Sequence, residues 1–490
     1  MKKFSINNII NYIIKNIKII FIISIIIFAL PSIFYILKNK TLLNFNGNLE
    51  FCFLLTNNIN RLYQALVYTL IISIIILCYF IIIKYRNQIF KNNKQIFTLI
   101  CIVSAIFIFV IPFWCSDLFY YLGIGRITSK YNQNPYYTDI KSYVDNNNIN
   151  IEKDTVMQKG YTNYWSNTTV VYGAVWTLIC SIVSMLSFGN LEIGVLIFKI
   201  LNLCIHLGNC YLIYKISNKK IFTIIYGFNP FILIEGLANV HNDMFVIFFI
   251  LCALYELLKK RRIVPSIFFL AMSADIKYFA ILFLPFILIS YFKDKDTKTR
   301  IIKCIEYGIL FGIFCMIPYL LYYRDLNVFM GIIEQNNKTA KGIYIVLNIY
   351  FNNIQNLVNL VLLSLFAIGY IMICIKYLFC RDIKFTKLMR KMYLILLYFI
   401  FLLITNFQPW YLIWLTPLII WQNHQNIRLI VQVQLLTLYS NIVFLMYSEN
   451  YIYGVPFFMI NTVGILLCII NNKNRELHKK SFQERKLYNE

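Results

Sequence analysis

The chain has 490 residues, of which 60% are hydrophobic and 14% charged, and a formal net charge of +25. A soluble domain cannot bury that much apolar surface, so lipid is the solvent for most of the chain. The excess of Lys and Arg would point to nucleic acid in a soluble protein. Here it gathers in the loops between apolar runs, as in segments held in the cytoplasm, and nucleic acid is set aside as a partner.

Residues 2–37 read as basic residues followed by an apolar run without a small-residue cleavage site, which predicts a retained helix. Further runs of membrane length cover 63–83, 96–114, 193–214, 303–323, 357–379, 427–447 and 452–470. Shorter runs, several broken by Pro or charge, cover 170–187, 221–236, 244–258, 263–275, 278–291, 390–405 and 410–421. The segments 1–18, 84–95, 215–220, 259–262, 293–303, 376–391, 421–428 and 473–490 are each net positive, whereas acids balance bases in 114–169. That predicts both termini inside, and the 114–169 and 324–356 loops outside.

Three candidate crossings then separate Asp117 from His241, although both should lie outside, which requires an even number. The run 170–187 leaves a polar loop and ends at Ser187-Phe188-Gly189-Asn190 without a basic residue, so it is expected to lie on the surface as an interfacial helix. About 14 crossings remain in an all-α polytopic membrane protein. Three parts are expected: 1–95, an N-terminal segment with two extra helices; 96–291, a central module with the outer loop 114–192; and 292–490, C-terminal helices with the outer loop 324–356. The 13 Cys show neither C-x-x-C nor metal spacing and read as buried hydrophobes. Cys52 and Cys115 fall in outer loops, where a pairing stays open.

With this topology the unusual polar residues share one face. Asp117 follows the apolar run that ends near residue 114, and Arg126 lies farther along the same loop. Glu235, His241, Asn242 and Asp243 stand at the outer end of 221–236, and Asp275 and Lys277 in the next outer turn. A later turn holds Asn406-Phe407-Gln408-Pro409-Trp410-Tyr411. Ionisable groups at the membrane edge are costly, and a cluster of them reads as functional.

Each has a plainer reading. Asp117 and the 241–243 triplet could cap helices. Lys277 could pair with Asp275, Arg126 could be a surface charge, and Trp410 and Tyr411 could form an interfacial aromatic belt. His206, in mid-helix, reads as a packing residue, and His241 with Asp243 lacks the third ligand a zinc site needs. Together, a carboxylate, an imidazole and basic groups suit chemistry on a phosphate-linked substrate, with the carboxylate as general base.

These residues resemble the GT-C polytopic glycosyltransferases that use polyprenyl-phosphate sugars, especially the bacterial mannosyltransferase-like branch. The resemblance runs through Asp117, Tyr120-Tyr121, Gly125-Arg126 and Asn134-Pro135-Tyr136; then Asn229-Pro230, Glu235 and His241-Asn242-Asp243; then Lys277; and last Trp410-Tyr411 and Pro417. It extends from about residue 96 to 425. The chain departs from the family at Gly123-Ile124, where many relatives carry an acid, and at Tyr172-Gly173-Ala174, where many have Tyr-x-Pro.

The resemblance implies a GT-C-like bundle with an outer juxtamembrane helix in a bacterial plasma membrane. It also implies inverting transfer of mannose or another hexose from a polyprenyl-phosphate donor to a glycan or lipid acceptor, with Asp117 as the base. Tyr121, Arg126, Asn134, Tyr136, Glu235, His241, Asn242, Asp243, Lys277, Gln408, Trp410 and Tyr411 would bind substrate. Arg324, Lys338 or Lys341 would add basic contacts from the 324–356 loop. A divalent metal, Mg or Mn, is left open, with Asp117 and Asp243 as its ligands. The rival reading, a transporter or lipid flippase, predicts midplane charge and internal repeats. Here the charge gathers at one face and no repeat is apparent.

Overall fold

The computed structural model describes residues 6–39, 61–112, 116–332, 355–380, 382–403, 408–419 and 424–446. It is about 80% helical, with no strand among the described residues. The run 452–470, the basic tail 473–490, Cys52, Cys115, Asn406, Lys338 and Lys341 lie outside them.

The apolar runs become helices close to where the hydrophobic pattern puts them. Two long helices, α1 (Ile6–Asn39) and α2 (Arg61–Lys84), pack together, followed by α3 (Asn93–Ile106), which Asn92 caps by accepting from the Gln95 amide. A 3₁₀ turn over Phe107–Phe109 ends that run. The polar region holds α4 (Asp117–Ser129), α5 (Ile140–Asn146) and α6 (Thr155–Tyr161). Next come α7 (Ala174–Leu186), α8 (Leu191–Ser217) and α9 (Lys220–Gly227), then a π-helical segment over Ile232–Ala238. They are followed by α10 (Asp243–Tyr255), α11 (Ile263–Ala274), α12 (Leu284–Tyr291) and α13 (Thr297–Tyr319). The last elements are α14 (Gln355–Leu378), α15 (Phe385–Leu402), a 3₁₀ turn over Pro409–Trp414, α16 (Leu415–Ile419) and α17 (His424–Met446).

Five of these helices are long and apolar enough to cross a membrane: Ile10–Leu37, Leu66–Lys84, Leu191–Ser217, Thr297–Tyr319 and Leu360–Leu378. Lys220–Gly227 and Ile232–Ala238, bent by 59° at their break, would make a sixth. This is a membrane protein, but the expected count of about 14 is not reached among the described residues. Many of the shorter apolar runs fold as short helices: twelve residues, as in α11, rise only about 18 Å against a hydrocarbon core of about 30 Å. The break after α9 is built by Asn229-Pro230. Proline supplies no amide donor, and the Asn229 carbonyl oxygen of the side chain accepts from the Phe231 amide at 3.0 Å instead.

The helix α7, expected on the surface, is 13 residues long and packs against α4 and α8. Gly125 allows that approach, since a Cβ there would lie 2.1 Å from the Cys180 carbonyl oxygen. At the start of α7, a Cβ on Gly173 would fall 2.4 Å from the carbonyl carbon of Asp275. The departure at Tyr172-Gly173-Ala174 thus has a local cause, the docking of this turn on the 275–277 turn. The Trp176 amide completes the join by donating to the Asp275 carbonyl at 3.2 Å.

One face of α8 is polar although its surroundings are apolar. Lys199, Asn202, His206 and Asn209 follow helical spacing and are all buried. Asn202 donates to the Gly236 carbonyl at 2.7 Å, and Asn209 to the Met244 carbonyl at 3.2 Å and the Tyr226 hydroxyl at 2.9 Å. His206 stacks on Tyr226 and is a packing residue. This face holds the π-helical segment and the start of α10 in place.

Candidate active site

Asp117 opens α4, yet it does not serve as a side-chain cap, and Ser116 before it makes no capping bond either. The carboxylate turns toward His241, with Oδ2 3.9 Å from Nδ1. The Trp165 indole also donates to it. Trp165 is held by a tight turn in which Asn163 accepts from its amide at 2.9 Å and donates to the Ser116 carbonyl at 2.8 Å. Asp117 is 14% exposed. Burial raises its pKa, and the charges of His241 and Lys277 pull it back only in part.

His241 is fully buried between two carboxylates. On its other side Nε2 lies 3.5 Å from Oε2 of Glu235, which accepts from Asn239 at 2.9 Å. The imidazole stacks on Trp410, with centroids 3.8 Å apart and planes at 17°. Trp410 is therefore part of this cluster. Just before the imidazole, Val240 has φ 61°. A β-branched residue in the left-handed region is strained and persists only where its surroundings impose it.

Asp243 opens α10 without a capping bond from Asn242. Its Oδ1 accepts from Lys277 at 2.7 Å and from the Trp414 indole. The Lys277 ammonium lies over Tyr411 at 4.7 Å and Trp414 at 5.2 Å, and those two rings stack at 4.5 Å. Lys277 thus pairs with Asp243 and not with Asp275. Oδ2 of Asp243 and both polar atoms of the Asn242 side chain are buried without a hydrogen-bond partner.

Of the residues singled out in the sequence, Asp117, Glu235, His241, Asn242, Asp243, Lys277, Trp410 and Tyr411 come together. Gln408 immediately precedes the 3₁₀ turn that carries the two aromatics. Four others are engaged elsewhere. Arg126 donates to Asp154 at 2.8 Å, as does Lys130. Burial works to raise the Asp154 pKa, but its bonds from Lys130, Arg126 and the Met157 amide outweigh that and hold it low. Asn134 donates to the Tyr322 carbonyl at 2.5 Å. Tyr136 meets Thr177 at 2.9 Å and donates to the Tyr172 carbonyl at 3.0 Å. Tyr121 packs on Tyr172, Trp176 and Phe198. These four build the loop fold around Asp117. Arg324 lies over the Tyr137 ring, on the same loop surface.

Trp165, Trp414 and Lys199 were missed in the sequence. The two tryptophans are of a type with the many aromatic residues of the chain, whereas Lys199 carries a signal, as the one charged residue within the apolar run 193–214. Among the described residues no three His, Cys, Asp or Glu side chains gather closely enough to hold a metal ion. Lys277 already sets a cation against Asp243, so the pair Asp117 and Asp243 does not fit a divalent ion with the ammonium in place.

Asp275 follows the last residue of α11, two positions before Lys277. It is 2% exposed, its Oδ2 lacks a partner, and burial pushes its pKa up to about 8. A raised acid pKa favours the folded state fully at low pH, and that stability is lost as pH rises from about 4 through 8. Asp275→Asn is therefore expected to be more stable than the parent at pH 8, by on the order of a few kcal/mol. The difference should shrink toward pH 4. Thermal unfolding in detergent at several pH values checks this, and a pH-independent difference would contradict it.

Residues 37–293 match the family model described as alpha-(1->6)-mannopyranosyltransferase, N-terminal domain. The chain belongs to this mannosyltransferase family. It is a membrane glycosyltransferase, and the match spans α2 through α12 and takes in Asp117, Glu235, His241, Asp243 and Lys277. The turn with Trp410, Tyr411 and Trp414 lies beyond the matched region yet packs on the same cluster of side chains. No curated protein and no solved structure matches the chain.

Proposed function

We propose that this glycosyltransferase moves a mannosyl group from a polyprenyl-phosphate donor to a hydroxyl of a glycan or lipid acceptor. The reaction takes place at the non-cytoplasmic face, inverts the anomeric carbon and, following the family's description, forms an α-(1→6) bond. The observation that carries this reading is the meeting of Asp117 with His241 beside the Lys277–Asp243 pair, in a wall of aromatic rings.

The acceptor hydroxyl attacks the anomeric carbon while the Asp117 carboxylate takes its proton. The bond from that carbon to the phosphate oxygen breaks, and polyprenyl phosphate leaves with the electron pair. His241, between Asp117 and Glu235, orients the carboxylate. Lys277 places positive charge where the leaving phosphate gathers negative charge. Trp410 and Tyr411 offer aromatic surface to the sugar ring and lipid, and Trp414, stacked between Tyr411 and Phe279, backs them.

Purified protein in liposomes tests the reading. Labelled mannose is supplied either as polyprenyl-phosphate mannose or as a nucleotide sugar, together with an oligomannoside acceptor. Transfer from the lipid-linked donor alone, with an α-(1→6) product by linkage analysis, is expected. Transfer from the nucleotide sugar alone would overturn the donor assignment, and retained anomeric configuration would overturn the mechanism.

A further inference from the structure

Lys199 lies in the N-terminal part of α8 and is only 3% exposed. Its ammonium donates to the Ala238 carbonyl at 2.8 Å, Phe107 at 3.3 Å, Leu237 at 3.4 Å, and Val110. Three N–H groups thus serve four oxygens. Two of these flank the 3₁₀ turn at the end of the α3 run, where the Phe107 carbonyl also accepts from the Val110 amide at 3.2 Å, and two, Leu237 and Ala238, end the π-helical segment. Carbonyls at helix ends have no partner within the helix and carry the negative end of its dipole. Away from water, they need a donor from elsewhere in the protein. One buried cation therefore joins two chain ends that do not bond to each other through their backbones.

Both ends lead into the site. Val110 stands seven positions before Asp117, and Ala238 three positions before His241. The second path runs through the strained Val240, so this stretch is imposed by its surroundings, with Asn202 holding Gly236 on the same side. Asp117 and His241 meet at 3.9 Å, downstream of the two pieces that Lys199 holds together.

We propose that Lys199 is a positioning residue for sugar transfer: it fixes the spacing of the Asp117 and His241 segments without touching substrate. The proposal rests on the reading of Asp117 as general base. It explains why a lysine is kept at a depth where charge is costly. A purely structural lysine would affect assembly and leave the pairing of the carboxylate and imidazole as it is.

The test uses full-length Lys199→Met and Lys199→Arg proteins in liposomes, with polyprenyl-phosphate mannose as donor. Lys199→Met is expected to lose about 100-fold in kcat, the scale of a misplacement near 1 Å, with donor KM moving less than about threefold. The acidic limb of its pH–rate profile should move to higher pH as the carboxyl loses the pull of His241. Lys199→Arg, which keeps cation and donors, should recover most of the rate. A folded Lys199→Met protein with parental kcat, or with lower kcat and an unmoved acidic limb, would overturn the proposal. If Lys199→Met fails to assemble, Lys199→Gln is judged by the same two readouts. Asp117→Asn run alongside separates the two ideas: if it turns over normally the general-base reading fails, whereas if it is inactive and Lys199→Met behaves as the parent, only the positioning role fails.

Discussion

Asp117→Asn is expected to lower kcat for transfer by about 10²- to 10⁴-fold, the range a positioned general base contributes. Donor KM should change little, because the amide keeps the shape of the side chain and its place opposite His241. The Trp165 indole can still donate to the amide oxygen, so folding should be preserved. Radiolabel transfer in liposomes, paired with thermal unfolding of the same preparation, checks both halves. A variant that folds normally and turns over at the parental rate would remove Asp117 from the reaction.

Lys277→Met should give the largest loss of stability in the site. Asp243 is fully buried, and its Oδ1 depends on Lys277 and Trp414. Removing one partner of a buried ion pair leaves an uncompensated charge, a cost of roughly 3–5 kcal/mol. Transfer should fall with it, since the cation facing the leaving phosphate is gone. Adding Asp243→Asn in the same chain removes the orphaned charge and should recover much of the stability but little of the activity. Denaturation in detergent over the four proteins of this double-mutant cycle gives the coupling. Single losses that simply add would contradict the pairing.

Much of the helical layout was legible because apolar length and charge placement report directly on a lipid environment. The run 193–214 falls inside a single helix, whereas 303–323 and 357–379 overrun theirs by four residues and by one. Less legible was how the short runs divide. Asn229-Pro230 signals a break, but whether α9 and the π-helical segment form one bent span depends on packing against α8 and α17. Asn229 donates to Gln434 at 2.8 Å, and Gln434 donates to the Leu412 carbonyl at 2.9 Å, which ties the break to the aromatic turn.

In the site, the polar residues were legible because a lone Asp, His or Lys at a membrane edge stands out against Ile and Phe. Their partners were not. Lys277 reads in the sequence as a substrate-binding group, with pairing to Asp275 as the plainer alternative, and the fold turns it to Asp243 on α10. Arg126 closes the loop through Asp154, an ordinary acid in a polar stretch that the sequence does not single out. Trp165 and Trp414 sit among many aromatic residues, and only the three-dimensional contacts pick them out.

The most direct measurement of the central claim is the pH dependence of single-turnover mannosyl transfer by the parent protein and Asp117→Asn. The parent rate should fall as pH drops through one acidic limb, with its midpoint above the ordinary carboxylate range, as burial of Asp117 requires. That limb should be absent from the residual rate of the variant. A parent rate indifferent to pH across this range, or the same limb in Asp117→Asn, would contradict it.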